Sequence, residues 1–133
     1  MPSASDVAMT RALERGQLPA GGFRHADHLR VACVYLDEAP DVAEALRRMA
    51  ATLKRVAASV GKSEKYSDAV TTFWMYQLAA VRAVIPHADA DALFLAFPRL
   101  LDTHLLNARH VTSTRASDSS GDAPDRAVPR EPA

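Results

Sequence analysis

One stretch of the chain restricts the fold more than any other. From Val42 to Val60, large apolar residues recur every three or four positions, which is the repeat of one face of an α-helix. These residues are Val42, Leu46, Met49, Leu53, Val56 and Val60. Asp41 followed by Glu44 is a variant of the capping box, and Gly61 suits the position just past a helix end. The segment therefore predicts a long amphipathic helix.

Two further segments have the helical repeat and end before prolines. One helix is predicted over about 24–38, ahead of Pro40, and another over about 64–85, capped by Ser63 and ended by Pro86. The predicted apolar face of the second consists of Tyr66, Val70, Phe73, Trp74, Leu78, Val81 and Ile85. Both helices are expected to pack through their apolar faces.

A fourth helix is predicted to begin near Asp89 or Asp91, since either aspartate can act as its N-cap. Pro98 ends or kinks it, and a short further helix is predicted over about 98–109. Three or four amphipathic helices with short connections predict an all-α fold, a small helical bundle of about four main helices.

The two ends of the chain lack this pattern. Residues 1–22 are predicted to be a flexible N-terminal arm; residues 6–15 could form a short helix, but its apolar positions, Val7 and Leu13, are sparse. Residues 112–133 are rich in serine, proline and charge, which predicts a disordered C-terminal tail. The helical domain is then expected over residues 23–111.

The charge and cysteine content narrow the class of protein. Sixteen basic residues balance sixteen acidic ones, so nucleic acid and anionic membrane surfaces are not expected partners. Cys33 is the single cysteine, which predicts a reducing, cytoplasmic location without disulfides and an inert thiol buried on an apolar face. No secretory signal and no apolar stretch long enough for a membrane span is recognisable.

His25 and His28 are the leading candidates for chemistry. They lie three residues apart at the predicted start of a helix, so they share a face and their Cβ atoms are roughly 5–6 Å apart. They extend an apolar stripe and are therefore expected to face inward or to line the mouth of a cleft. The positive end of the helix dipole favours neutral imidazole, the form that binds metal ions.

A metal site needs more ligands than this pair. Zinc is usually held by three or four protein side chains. Candidates for the third ligand are Asp68, Glu64 and His104, and the cofactor would be a divalent ion such as zinc, iron, copper or manganese. Other active-site roles, and capping or cleft-lining roles without chemistry, remain open for the two histidines.

A second candidate site lies at the predicted start of the third helix. Tyr66, Ser67 and Thr71 place hydroxyl groups within two turns, where they can bind an anion or orient a ligand. The alternative interpretation is ordinary capping of the helix N-terminus.

Over residues 23–110 the chain resembles a group of small, uncharacterised bacterial helical proteins. Their pattern F-x-H-x-x-H-L is matched in full by Phe23, His25, His28 and Leu29. Their final pattern, F-x-x-x-x-P-x-L-L, is approximated by Phe94, Pro98, Leu100 and Leu101.

The group's middle pattern, K-Y-H-x-T-x-T, is only partly kept. Lys65, Tyr66 and Thr71 match it, whereas Ser67 replaces its histidine and Ala69 its first threonine. If the group's three histidines form a ligand set, the resemblance implies weaker metal binding here, recruitment of Asp68, or retention of the scaffold alone.

Two functions are therefore expected. The first is a metal-dependent hydrolase or lyase acting on a small-molecule substrate at the His25/His28 pair. The second is a non-enzymatic helical module for partner binding or self-association as a homo-oligomer, with structural histidines.

Overall fold

The computed structural model describes residues 2–105, which contain five α-helices, two 3₁₀ turns and no strand. The elements are α1 (Ala4–Glu14), α2 (His25–Glu38), α3 (Val42–Ser59), α4 (Asp68–Val84) and α5 (Ala90–Ala96), with 3₁₀ turns at Ser63–Lys65 and Pro98–Leu101. The predicted all-α fold is confirmed. The chain up to Leu101 forms one compact unit, and the remaining described residues, 102–105, belong to another. The predicted tail, 112–133, lies outside the described residues.

Helix α2 is the centre of the bundle. It contacts α1, α3, α4 and α5. Leu29 and all five residues from Val31 to Tyr35 are buried, as happens only when a helix is covered on more than one side. Cys33 is 2% exposed, and burial raises the pKa of its thiol to about 11, as expected for an inert side chain.

The N-terminal segment corrects the prediction of a flexible arm. Residues 4–14 form α1, which packs against α2 and α3 and buries Leu13 completely. Polar residues are buried beside it, and their hydrogen bonds are made: the Thr10 hydroxyl donates to the Asp6 carbonyl at 2.9 Å. Arg30 of α2 approaches the Asp6 carboxylate at 3.5 Å. The sparse apolar pattern was misleading because buried, partnered polar groups occupy part of the helix's inner face.

Helix α3 has the boundaries that its sequence predicts. The Asp41 carboxylate accepts a hydrogen bond from the Glu44 N–H at 2.8 Å, and Gly61 has a positive φ of 71°. That conformation is cheap only for glycine, so Gly61 ends the helix. The Glu44 carboxylate bonds Arg48 at 2.8 Å.

Helix α4 begins four residues later than predicted. Ser67, rather than Ser63, is its N-cap and accepts from the Val70 N–H at 3.2 Å. Upstream of this cap the chain forms the 3₁₀ turn. The buried face is also rotated from the predicted one, since Val70 is 43% exposed. The buried residues of α4 are Thr71, Trp74, Met75 and Leu78.

Helix α5 is capped by Asp89, whose carboxylate accepts from the Ala92 N–H at 2.8 Å. The alternative cap, Asp91, pairs instead with Arg30 at 2.5 Å. The helix predicted over 98–109 is a 3₁₀ turn up to Leu101, and its end lies outside the described residues. None of the described helices combines the length and apolar character needed to cross a bilayer.

Candidate functional site

A cavity of about 270 Å³ lies between α2, α3 and α4, and we refer to it as the histidine chamber. His25, His28 and Thr71 contribute its polar groups. Its apolar walls come from Leu29, Ala32, Met49, Leu53, Trp74 and Met75. A cavity of about 150 Å³ is enough to hold benzene, so the chamber has room for a small apolar group.

His25 occupies the first position of α2 and is fixed from two sides. Its Nε2 atom lies 2.9 Å from the carbonyl oxygen of Leu100, in the second 3₁₀ turn. Its ring meets the Trp74 ring edge-on, with centroids 4.6 Å apart. A carbonyl oxygen only accepts hydrogen bonds, so Nε2 carries the proton and the Nδ1 atom of the neutral ring carries the lone pair.

His28 lies one turn further along α2 and has the opposite tautomer. Its Nδ1 atom lies 2.8 Å from the Arg24 carbonyl oxygen, which places the proton on Nδ1 and the lone pair on Nε2. The ring also stacks on Phe23, with centroids 4.0 Å apart and an interplanar angle of 24°. Burial, reinforced by the neighbouring His25, lowers the pKa of His28 and favours the neutral ring.

Each ring therefore has one nitrogen that is not bonded to a backbone carbonyl, His25 Nδ1 and His28 Nε2, and both residues line the chamber. Such atoms can accept a hydrogen bond from a ligand, take up a proton, or bind a metal ion. Asp27, which lies between the histidines in sequence, has a different task. Its carboxylate accepts from the Arg24 N–H at 3.0 Å and so secures the start of α2.

A second cavity, of about 710 Å³, adjoins the chamber. We refer to it as the lysine groove, because Lys62 and Lys65 line it together with the segment 18–23 and one side of α3 and α4. The two cavities share His28, Leu53, Val70 and Thr71 in their walls. The rings of Phe23 and His28 thus lie where groove and chamber meet.

All three hydroxyl residues of the second predicted site line this groove, and Thr71 also lines the chamber. Ser67 caps α4, and the Thr71 hydroxyl donates to the Ser67 carbonyl at 3.0 Å. The Tyr66 hydroxyl is buried, with no hydrogen-bond partner in the described chain. Burial raises the pKa of Tyr66, so this hydroxyl keeps its proton.

Neither of the other candidate metal ligands, Asp68 and His104, lines the chamber. The Asp68 side chain is 75% exposed, lies 3.9 Å from Lys54 and lines neither cavity. His104 belongs to the separate unit that begins at Asp102, where its backbone N–H donates to the Asp102 carboxylate at 2.9 Å. Among residues 2–105, no group of three or more His, Cys, Asp or Glu side chains is placed to hold one metal ion.

Two partners of the histidines were not foreseen from the sequence. The Leu100 carbonyl is 75 positions from His25, and no local pattern could connect them. Trp74 is buried, as its place on the predicted apolar face implies, and its ring also lines the chamber beside His25. In the sequence, the only indication of this wall is that Thr71 and Trp74 lie three positions apart and therefore share one face of α4.

Comparison of the sequence and the fold with models of protein families, with curated proteins and with solved structures found no match.

Proposed function

We propose that this protein binds a small molecule in the histidine chamber. The apolar body of the ligand contacts Leu29, Met75 and Trp74, while a polar group of the ligand donates hydrogen bonds to His25 Nδ1 and His28 Nε2. The observation that carries this proposal is the contact of one nitrogen of each ring with a backbone carbonyl oxygen. These contacts hold the two rings in place, so the acceptor atoms need no reorganisation when a ligand enters.

The same arrangement supports proton abstraction from the bound molecule. A general base must be unprotonated at the working pH, and the lowered pKa of His28 meets this requirement. The stack on Phe23 and the bond to Arg24 hold the ring in one orientation. Hydrolase and lyase reactions both use such a base, and His28 is the residue we assign to that role.

Trp74 is the only tryptophan of the chain and lines the chamber, so its fluorescence reports occupancy directly. We expect p-cresol to bind about fivefold more tightly than toluene, since one neutral hydrogen bond contributes roughly 1 kcal/mol. In the double variant His25→Leu/His28→Leu this preference should disappear, whereas His87→Gln, an exposed histidine, should leave it unchanged. If neither probe alters Trp74 emission, or if the double variant keeps the preference, the proposal is wrong.

A second candidate function is the binding of a divalent metal ion by the same two nitrogens. The specific support is that each histidine directs its N–H to a backbone carbonyl, as metal-binding histidines usually do. His25 Nδ1 and His28 Nε2 would be the protein ligands. A bound ion would supply Lewis-acid activation of water or of a substrate carbonyl.

Elemental analysis of untagged protein, purified without chelator, tests the metal site. We expect close to one equivalent of zinc, iron, copper or manganese, lost in His25→Ala/His28→Ala. Ser67→His restores the histidine of the resembling proteins beside the groove and should raise metal affinity by about tenfold or more, at a cost of about 1 kcal/mol for the lost cap. No metal above the double variant after reconstitution, in either the wild type or Ser67→His, would exclude this candidate.

The non-enzymatic alternative is that the protein self-associates. Its support is the exposure of Leu95 and Val84, which are 85% and 71% accessible. Sedimentation analysis over a hundredfold concentration range tests it, and a constant monomeric mass would rule it out.

A further inference from the structure

The lysine groove gives the proposed ligand a second region to occupy. Its walls include His28 and Thr71, which also belong to the chamber, so one molecule in contact with both cavities is geometrically straightforward. The groove, at about 710 Å³, is within the usual size of small-molecule sites, whereas the chamber at about 270 Å³ is small for one.

The charge of the groove has a single sign. Lys62 and Lys65 are the only charged side chains among the described residues that line it, and both are exposed. Neither forms an ion pair within the described part of the chain, whereas Lys54 nearby is paired with Asp68. The remaining walls are largely apolar and include Leu18, Pro19, Phe23, Val56 and Val60. Two ammonium groups without ion-pair partners in the described chain attract an anion, and the apolar walls beside them favour one with a hydrocarbon part over an inorganic ion.

The Tyr66 hydroxyl adds an unused donor next to Lys65. It is buried and makes no hydrogen bond of good geometry within the described residues, although Thr71 and Asp68 lie near enough to influence its pKa. A buried hydroxyl without a well-aligned hydrogen bond is unfavourable, so a ligand oxygen that accepts from Tyr66 strengthens binding. The side chain of Lys54 lies over the Tyr66 ring, 5.5 Å from its centroid, and helps to hold the ring in place.

We infer that the ligand is an amphipathic organic anion, with its hydrocarbon or ring body in the histidine chamber and its carboxylate or phosphate head in the lysine groove at Lys62, Lys65 and the Tyr66 hydroxyl. This inference rests on the proposed small-molecule function and names its ligand class. It also assigns different tasks to the two cavities: the chamber recognises the body of the ligand and the groove recognises its acidic head.

Octanoate, octyl phosphate and octanamide test the inference, since they share a chain length and differ in the head group. Binding is followed by Trp74 fluorescence and calorimetry at low salt. We expect at least one of the two anions to bind about tenfold more tightly than octanamide, and the better one identifies the acidic head. Lys62→Gln/Lys65→Gln should remove this preference and leave the affinity for octanamide within about twofold.

Two matched variants separate charge recognition from a general effect. Arg47→Gln/Arg99→Gln makes the same change of net charge at exposed residues outside both cavities and should retain the preference. Tyr66→Phe should weaken binding of the preferred anion by about threefold while keeping or raising the melting temperature of the free protein, because it removes an unpaired buried hydroxyl.

The outcomes distinguish the two proposals. If octanamide binds but neither anion is preferred, or if the lysine variant keeps the preference, the inference about the acidic head is overturned and the chamber proposal stands. If p-cresol binds but none of the three octyl compounds does, the inference about the acidic head is overturned and the chamber proposal stands. If neither p-cresol nor any of the three compounds changes Trp74 fluorescence or gives heat of binding, the proposed function fails and the inference fails with it.

Discussion

His28 links the protonation of the candidate site to the stability of the protein. Burial lowers its pKa below the ordinary value of 6.5. As the pH falls, the unfolded chain takes up a proton at the ordinary pKa, while the folded protein resists protonation until a lower pH. The stability that the neutral ring provides is therefore complete above the ordinary pKa and is lost as the pH falls through the folded pKa.

We expect the free energy of unfolding of the wild type to decrease more between about pH 7.5 and about pH 5 than that of His28→Gln, because the variant lacks the titrating ring. Urea denaturation at a series of pH values measures the difference. An identical pH dependence in the wild type and His28→Gln would contradict the burial of a neutral ring.

Tyr35 is the residue that joins three helices through one hydroxyl group. It donates to the Glu14 carboxylate of α1 at 2.6 Å, and its oxygen lies 2.6 Å from the Thr52 hydroxyl of α3. Burial, together with Glu14, raises the pKa of Tyr35 to about 12, so it remains a donor at any ordinary pH.

Tyr35→Phe removes this hydroxyl and leaves the buried Thr52 without its partner. The expected loss is about 1–3 kcal/mol in the free energy of unfolding, measured with urea. Tyr76→Phe is the matched control, because Tyr76 is 52% exposed, and it should change stability little. A loss no larger in Tyr35→Phe than in this control would show that the three-helix link contributes no stability.

At the scale of elements, α3 and α4 show how far a single sequence predicts local structure. The ends of α3 follow from Asp41 and Gly61 because both act through neighbouring backbone atoms. The start of α4 cannot be predicted in this way, because Ser63 and Ser67 are equally good N-caps in isolation. The deciding factor is tertiary, because starting at Ser67 buries Thr71 and Met75 and turns Val70 toward the cavities.

The sequence likewise predicts only the local part of the candidate site. The spacing of His25 and His28 predicts that they share a face, and both line one chamber. The partners that fix their tautomers are backbone carbonyls, which every residue carries, so sequence contains no signal for them. The sequence allows a short helix over 6–15 but does not indicate that it is buried, for a related reason: Asp6 and Thr10 are polar, and only their partners show that they lie inside.

Leu13→Ala tests whether α1 belongs to the core. Leu13 is fully buried, so we expect a loss of about 2–5 kcal/mol in the free energy of unfolding. Leu95→Ala provides the comparison, since Leu95 is 85% exposed and its truncation should cost little. If both substitutions have the same small effect in urea denaturation, α1 is not part of the cooperative unit.

At the scale of the compact unit up to Leu101, Arg30 joins the first and last α-helices through the central one. Its guanidinium group reaches Asp6 of α1 at 3.5 Å and Asp91 of α5 at 2.5 Å, and it lies over the Phe94 ring at 5.4 Å. Asp6 is only 5% exposed, so this cation is the charge that balances a buried carboxylate.

Arg30→Gln should therefore lower the free energy of unfolding by about 1.5–3 kcal/mol, most of it from the buried Asp6. The double variant Asp6→Asn/Arg30→Gln removes the unbalanced charge and should recover part of the loss. Urea denaturation of both variants and of Asp6→Asn alone completes the thermodynamic cycle. Strictly additive single effects would show that the two residues do not interact.

The position of Cys33 has a consequence for how the motions of this protein can be followed. A thiol reagent needs both access and a thiolate, and the folded state provides neither at neutral pH. Because Cys33 lies in α2, which contacts the other four α-helices, fraying at either end of the unit does not uncover it. Cys33 is also the only cysteine, so a single modification accounts for the whole signal. The rate at which such a reagent modifies the protein therefore measures how often the entire helical bundle opens.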